Sequence, residues 1–240
     1  MTPAKYQRVL LKISGEGLCG AGSSGIDGKQ LHRLADEIKL VVELGIQVCV
    51  VVGGGNIVRG SVIARNSSIE ETTGHYMGML ATVINALAVQ DTLESLGIQT
   101  RVQSALAIES ACEKFIRRRA IRHLEKGRVV IFAAGTGNPF VTTDTGAALR
   151  AAEVRAEVLL KATKVDGVYT SDPKKDPTAK RIAKLTYNQV IDQRLEVMDL
   201  SAVDLCQRCK IPIVVLDLYQ PGNMRAVVQG EGIGTMISAE

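Results

Sequence analysis

Apolar runs alternate with segments of helical periodicity along the 240-residue chain. Short unbroken apolar runs are typical of strands that are covered on both faces. The predicted strands are 6–13, 46–52, 101–104, 129–133, 158–161 and 213–218, with 235–238 as an edge strand. The predicted helices are 28–45, 73–96, 110–126, 145–155, a short one after Thr186, and 201–210. Strands that alternate with helices predict an α/β fold, a three-layer α/β/α sandwich with a mainly parallel central sheet.

Composition agrees with one folded domain. The chain has 46% hydrophobic and 22% charged residues, which excludes a disordered protein. Its formal net charge of +4 is mild, and it suits anionic small molecules as well as nucleic acid. No segment has the composition of a linker, so we expect a single domain over 1–240 with two lobes, about 1–150 and about 151–240.

The apolar runs and the cysteines bear on the compartment. No apolar run approaches the roughly 20 residues that span a bilayer, and residues 1–5 lead into a strand and not into a signal sequence. Five cysteines, an odd number, are typical of a reducing compartment, so we expect a cytoplasmic protein without a membrane partner. Cys206 and Cys209 have CxxC spacing, but no second pair accompanies them. We therefore interpret them as packing positions on one face of a helix.

Three glycine-rich loops follow predicted strands, at the sheet edge where parallel α/β folds bind ligands. Lys12 ends the first strand, where it can hold phosphate beside glycines or lie along the strand edge as a surface residue. The segment 53–56, with Arg59 one turn later, resembles an anion cradle at a helix start. The segment 135–144 combines glycines, an amide, hydroxyls and a carboxylate, of which a capped helix start explains only a part. Such loops on one edge indicate two phosphate-bearing ligands and hence phosphoryl transfer.

At these loops the sequence resembles the bacterial-type uridylate (UMP) kinases of the amino-acid-kinase fold, and the resemblance covers nearly the whole chain. The first two loops also occur in carbamate, acetylglutamate and aspartate kinases, whereas 135–144 is close to diagnostic for the uridylate branch. The other segments that carry the resemblance are 77–82, 161–169, 172–173 and 197–200. The resemblance implies a nucleoside monophosphate kinase that makes UDP and ADP from UMP and ATP in pyrimidine biosynthesis.

The resemblance also implies residues for each ligand. Contacts with ATP are implied for Lys12, Ile13, Ser14, Gly15, Gly55, Arg59, Thr163, Tyr169 and Asp172. Contacts with UMP are implied for Gly54, His75, Thr136, Gly137, Asn138, Pro139, Phe140, Val141, Thr142 and Thr143. An allosteric GTP segment is implied at Gly20, Ala21, Gly22, Ser23, Ser24 and Gly25. We interpret Lys12 and Arg59 as catalytic charges and Asp144 as the group that orients Lys12 or the hydrated Mg²⁺, with Asp199 as a further candidate.

The family properties extend to cofactor, regulation and assembly. The resemblance implies Mg²⁺ bound with ATP, activation by GTP, inhibition by UTP, and a homohexamer. It assigns the acceptor nucleotide to the N-terminal lobe and the donor nucleotide to the C-terminal lobe. We predict no metal-ligating side chains.

One departure from the family pattern concerns the residues before the segment 77–82. The family has an Arg there, followed four residues later by an Asp that binds the UMP ribose. This sequence has Glu71 and His75 at those positions. A neutral imidazole can accept a hydrogen bond from the ribose and a protonated one cannot, so we expect the KM for UMP to depend on pH.

Other functions remain alternatives at this point. Another kinase of the same fold, of the carbamate or acetylglutamate type, would share the first two loops. A nucleotide-binding protein without turnover would also share them, but it should lack donor-site charges, and Lys12, Arg59 and Asp144 are present. A nucleic-acid partner would rest on the basic run 117–119. We interpret that run as a solvated helix face, because it has no aromatic residues of the kind that stack bases around it.

Overall fold

The computed structural model describes residues 4–20, 22–171, 175–176, 178–218 and 220–239, and its strands follow the apolar runs of the sequence. The strands are β1 (Arg8–Ile13), β2 (Gln47–Val52), β3 (Thr100–Ser104), β4 (Glu113–Lys114), β5 (Val129–Ala133), β6 (Val158–Thr163), β7 (Val168–Tyr169), β8 (Arg181–Ile182), β9 (Lys184–Thr186), β10 (Ile213–Asp217) and β11 (Thr235–Ser238). The helices are α1 (Gly28–Val42), α2 (Gly60–Asn66), α3 (Glu71–Ser95), α4 (Arg117–Glu125), α5 (Thr143–Val154), α6 (Tyr187–Asp192), α7 (Leu200–Cys209) and α8 (Asn223–Val228), with a short 3-10 helix at Gly15–Leu18.

Nine strands form one sheet in the order β4-β3-β5-β2-β1-β6-β10-β11-β9. All neighbours are parallel except β10 and β11, and β7 and β8 form a separate antiparallel pair. β1 lies at the centre of the sheet, where Lys12 is opposite Val51 of β2 and Lys161 of β6. This register brings two lysines together at the carboxyl ends of neighbouring strands.

Two hydrophobic cores lie on opposite faces of the sheet. Along β2 the side chains alternate between them, so that Val50 packs with α1, α3 and α8 while Val51 packs with α4, α5, α6 and α7. This alternation is the two-residue period of a strand that is buried on both faces. The predicted three-layer α/β/α sandwich with a mainly parallel sheet is therefore confirmed.

Several element predictions were wrong in detail. The helix predicted over 110–126 begins only at Arg117, because Glu113 and Lys114 pair with β3 and the Phe115 ring packs edge-on against Phe132 at 5.6 Å. The strand β11 is not at the edge, since the short strand β9 covers it. Elements of two to seven residues, such as β9, α2 and α8, are too short to give a period.

Helix α3 is apolar around most of its circumference. Met79, Ala86 and other side chains on one face are buried in the core, whereas Tyr76, Leu80 and Ile84 on the opposite face are exposed. We call these three residues the α3 apolar stripe. Even so, no helix within the described part of the chain is long and apolar enough to cross a bilayer.

Candidate active site

Two buried ammonium groups share one carboxylate at the carboxyl ends of β1 and β6. Because side chains alternate along a strand, Lys12 and Lys161 both point toward α5, whose first turn carries Asp144. Nζ of Lys12 lies 2.5 Å from Oδ1 of Asp144, and Nζ of Lys161 lies 2.9 Å from Oδ2. Lys161 also donates to the backbone oxygen of Val197. Lys12 is only 7% exposed, so burial fixes the geometry of this cluster.

The charges of the cluster shift the pKa values of its members. Burial by itself raises the pKa of Asp144, but the Lys12 and Lys161 charges and hydrogen bonds outweigh it and hold that pKa below its ordinary value. The pKa of Lys161 is lowered, first by burial and then by the neighbouring Lys12 charge, which together exceed the opposite effect of Asp144. Two lysines share one carboxylate, with Asp199 as a smaller opposite influence on Lys161, which leaves this strand edge suited to a polyphosphate.

A cavity of about 330 Å³ opens in front of Lys12, and we call it the donor cavity. Its lining residues are Lys12, Ile13, Ser14, Glu16, Gly17, Lys161, Ala162, Thr163, Lys164 and Leu218. Thr163 also lines a neighbouring cavity of about 370 Å³, which includes Tyr169. The Tyr169 hydroxyl donates to Oδ1 of Asp166 at 2.5 Å. Asp172, expected beside them, lies outside the described residues.

The first two glycine loops pack directly against each other. A Cβ atom on Gly15 would come within 2.7 Å of the Gly55 nitrogen, so only glycine fits this approach. Asn56 and Asn85 are buried beneath the loops and form a hydrogen-bonded pair, in which Nδ2 of Asn85 donates to Oδ1 of Asn56 at 2.7 Å. Nδ2 of Asn85 also donates to the Gly53 oxygen at 2.7 Å. The pair ties α3 to the second loop.

A second cavity of about 330 Å³ lies on the other side of the glycine loops, and we call it the acceptor cavity. Its lining residues are Gly54, Gly55, Val58, Arg59, Gly60, Val62, Gly74, His75, Gly78, Met79, Thr82, Gly135, Thr136, Val141, Thr142 and Thr143. Gly55 and Arg59, for which the resemblance implied contacts with ATP, thus line the acceptor cavity. Arg59 forms an ion pair with Glu16, a lining residue of the donor cavity, so its side chain extends between the two cavities.

The rim of the acceptor cavity carries the rest of the predicted UMP segment. Gly137, Asn138, Pro139 and Phe140 are not among the lining residues, and Phe140 is 65% exposed. The Phe140 ring lies 4.8 Å from the His75 ring, centroid to centroid. Nε2 of His75 is buried without a hydrogen bond partner in the described residues and lies 3.8 Å from Oε1 of Glu71. His75 thus lines the acceptor cavity and has one ring nitrogen without a hydrogen bond in the described residues.

The predicted GTP segment forms a loop next to the second glycine loop. Gly25 exchanges two hydrogen bonds with Asn56, since its nitrogen donates to the Asn56 oxygen and its oxygen accepts from Nδ2 of Asn56, both at 2.8 Å. Gly22, Ser23 and Ser24 are exposed, Gly20 is half-buried, and Ala21 lies outside the described residues. The loop is thus in direct contact with a residue that supports the active-site glycines.

The chain matches known proteins over nearly its full length. Residues 7–217 match the amino acid kinase family. The chain is 59% identical over 235 residues to a uridylate kinase of Paramagnetospirillum magneticum, covering 98% of each chain. It is 56% identical to the chloroplastic uridylate kinase PUMPKIN of Arabidopsis thaliana, covering 98% of this chain and 69% of that one. The crystal structure of a UMP kinase from Bacillus anthracis superposes with a TM-score of 0.95 at 40% identity, covering 98% of this chain and 97% of that one. The chain belongs to the uridylate kinase branch of the amino acid kinase family.

Membership of this family confirms the resemblance. Some residues of the site were nevertheless not predicted from the sequence. Lys161 was placed in a strand and in a segment that carries the resemblance but was given no role in the site, although a lysine that ends an otherwise apolar run is the same signal that singled out Lys12. Asn85 gave no signal within a long helix. Asp199, a further candidate in the sequence, accepts a hydrogen bond from the Thr142 hydroxyl, so it contacts the acceptor loop and not the donor cavity.

The structure also bears on metals. Cys206 is buried in α7, whereas Cys209, the last residue of that helix, is exposed. Across the described ranges, no three His, Cys, Asp or Glu side chains are placed to hold a metal ion.

Proposed function

We propose that this protein transfers the γ-phosphoryl group of ATP to UMP, which gives UDP and ADP for pyrimidine nucleotide biosynthesis. The observation that carries the proposal is the Lys12–Asp144–Lys161 cluster, which joins the two cavities. Lys12 and Lys161 line the donor cavity, and Thr143, the neighbour of Asp144, lines the acceptor cavity.

The chemistry requires charge and not a general base. The acceptor is a phosphate with a second pKa of about 6, so it is largely ionised at neutral pH. The protein must bring two polyanions together and stabilise charge that spreads over the transferred phosphoryl group. In the proposal Lys12, Lys161 and Arg59 supply positive charge, and Asp144 orients the two lysines.

The two lobes divide the substrates between them. The N-terminal lobe, about 1–150, holds UMP through Gly54, His75 and the segment 136–143. The C-terminal lobe, about 151–240, holds the adenine and ribose of ATP near Thr163 and Tyr169, while β1 and its loop bind the phosphates. The separate cavities around these residues support this division.

Mg²⁺ belongs to the proposal as a partner of ATP. Both carboxylate oxygens of Asp144 face ammonium groups, so this carboxylate fits the role of orienting lysines better than that of holding a metal ion. The ion would be held by the ATP phosphates, where it supplies further charge neutralisation. The residues of the cluster then bind and align the phosphates.

Regulation and assembly complete the proposal. We propose that GTP activates the protein through the segment 20–25, that UTP inhibits it, and that the chain forms a homo-oligomer, a hexamer as in its family. The contact between Gly25 and Asn56 supports the regulatory site, and the α3 apolar stripe supports self-association. Five unpaired cysteines support a cytoplasmic location.

A coupled ADP-release assay with UMP, CMP, dUMP and carbamate as acceptors tests the activity. We expect the highest kcat/KM with UMP, because the acceptor cavity has the loop that is typical of the uridylate branch. Equal kcat/KM for UMP and CMP would indicate a general pyrimidine kinase. Turnover with carbamate and not with UMP would contradict the proposal.

A further inference from the structure

The acceptor loop begins with two consecutive residues in the left-handed region of backbone conformation. Ala134 has φ +59° and Gly135 has φ +56°, directly before Thr136. A left-handed conformation costs roughly 1–2 kcal/mol for a residue with a Cβ atom. Ala134 is therefore held in this conformation by its surroundings, and two buried side chains contact this turn.

The first contact comes from α3. The Thr82 hydroxyl accepts a hydrogen bond from the Ala134 nitrogen at 2.7 Å and donates one to the Met79 oxygen at 2.7 Å. Thr82 is buried, so this bond is shielded from water. It fixes the amide side of the turn.

The second contact comes from Arg150 in α5. One guanidinium nitrogen donates to the Gly135 oxygen at 3.2 Å, and the other pairs with Oε2 of Glu153 at 2.5 Å. Cζ of Arg150 lies 3.8 Å from the centre of the Phe115 ring, so the cation lies over the ring. Arg150 is only 5% exposed. Such a planar group, paired and placed over a ring, has one geometry available to it.

We propose that Arg150 is a positioning residue for the acceptor loop. It is not among the residues that line the acceptor cavity, and it acts through the Gly135 carbonyl, which it fixes so that Thr136 faces the acceptor. Glu153 and Phe115 hold the guanidinium in place. The proposal rests on the assignment of 136–143 to UMP made above.

Arg8 provides a control arginine, which binds the C-terminal end of α5 one turn beyond Arg150. Its guanidinium donates to the backbone oxygen of Val154, and Nε donates to Oε1 of Gln47 at 2.7 Å. Like Arg150, Arg8 binds a backbone carbonyl through its guanidinium group. Neither Arg8 nor the carbonyl that it binds belongs to the acceptor loop. Its loss should affect stability and leave the loop in place.

Steady-state kinetics of Arg150→Met, Arg150→Lys and Arg8→Met test the proposal. We expect Arg150→Met to raise the KM for UMP by at least about tenfold, as loss of a hydrogen bond to a charged group does. The KM for ATP should change by less than about twofold, because the donor cavity does not depend on Gly135. Arg150→Lys should lie between wild type and Arg150→Met, since one ammonium cannot reach both Glu153 and Gly135 as the fork does.

Hydrogen exchange supplies a readout that is independent of turnover. The Gly137 amide donates to the Ala134 oxygen at 2.9 Å, and the Ala156 amide donates to the Ala151 oxygen at 2.8 Å at the far end of α5. The Arg150 variants should accelerate exchange at Gly137 and leave Ala156 unchanged. If Arg150→Met does not fold, Arg150→Lys is measured in the same way.

Two outcomes would overturn the proposal. One is an unchanged KM for UMP and unchanged Gly137 exchange in the Arg150 variants. The other is an equal rise in that KM for Arg8→Met, which would indicate a general loss of stability. Thr136→Val and Asn138→Ala distinguish failure of this proposal from failure of the UMP assignment. If these two variants also leave the KM for UMP unchanged, the UMP assignment is wrong. If they raise the KM for UMP and the Arg150 variants do not, Arg150 has no positioning role.

Discussion

Asp144 faces two ammonium groups in a place that water hardly reaches, so the three side chains act as one charged unit. Removal of the carboxylate would leave two cations close together, with only the smaller influence of Asp199 on Lys161 as counter-charge. Removal of either lysine would lower the positive charge at the point where the phosphates of the two substrates meet. Either change should impair catalysis, and removal of the carboxylate should also destabilise the fold.

Lys12→Ala is expected to lower kcat by about 10²–10³, which is the usual cost of removing one preorganised charge from a transition-state site. Turnover is measured with saturating ATP and UMP, and circular dichroism checks that the variant stays folded. Lys5→Ala, which removes an exposed lysine before β1, is the control and should retain wild-type kcat. Near wild-type turnover in Lys12→Ala would remove Lys12 from the mechanism.

The lowered pKa of Asp144 makes a prediction for acid stability. A carboxyl group whose pKa is lower in the folded state than its ordinary value of 3.8 stabilises the fold above that value. This contribution is lost as the pH falls through the lowered pKa. The difference in the free energy of unfolding between wild type and Asp144→Asn should therefore be largest at neutral pH and shrink below pH 3.8.

Urea titrations from neutral to acid pH measure this difference. Asp91→Asn, a change at an exposed carboxylate on α3, is the control and should change the free energy of unfolding little. A difference between wild type and Asp144→Asn that stays constant across the acid range would contradict the coupling of Asp144 to the two lysines.

At the scale of elements, three separate sets of residues that matter for the site or the surface lie on α3. Its first turn holds Glu71 and His75 at i,i+4 spacing, its middle carries Asn85 beneath the glycine loops, and its outer face carries the α3 apolar stripe. Residues four apart lie on the same side of a helix, so changes within the first pair are expected to interact.

His75→Asp is expected to raise the KM for UMP by about twofold or more, because it places a like charge beside Glu71 and a negative charge near the acceptor phosphate. Adding Glu71→Arg should lower the KM for UMP again, since the double variant has an Arg and an Asp that attract each other at these two positions. The KM for UMP is measured against pH for wild type, single and double variants. One shared profile would show that this pair does not contact the ribose.

The elements also show what the sequence could and could not predict. β5 was predicted with its observed bounds, and the Asp27 cap of α1 and the Thr186–Gln189 capping box of α6 are present, because these signals are local. The start of α4 was wrong because pairing with β3 overrides helical propensity in the residues before it.

The candidate site shows the same division between local and long-range information. Lys12 and the segment 135–144 were found because each is a local pattern of glycine and charge. The partnership of Lys12 with Lys161 depends on β1 lying beside β6, and no local pattern contains the order of strands in a sheet. The hydrogen bond from Arg150 to the Gly135 oxygen could not be predicted for the same reason.

At the scale of the whole molecule, the α3 apolar stripe is the feature that supports the proposed self-association. Tyr76, Leu80 and Ile84 are each more than 40% exposed on one helix face, which is unusual for a monomer. Leu80→Glu is expected to reduce the molecular mass in sedimentation velocity by separating subunits, because it places a charge in an apolar contact. Ile116→Glu, a change at an exposed isoleucine outside the stripe, is the control. Unchanged mass in Leu80→Glu would exclude the stripe as a subunit contact.

The central position of β1 also constrains the order of events while the chain is being synthesised. β1 pairs on one side with β2 and on the other with β6, where Val9 is opposite Val158. Until β6 has left the ribosome, one side of β1 is an open apolar strand edge that other nascent chains can pair with. The pairing of β1 with β6 joins segments that are far apart in the sequence, and such long-range contacts slow folding. Chains interrupted before β6 should therefore aggregate, whereas chains that extend past it can bury that edge.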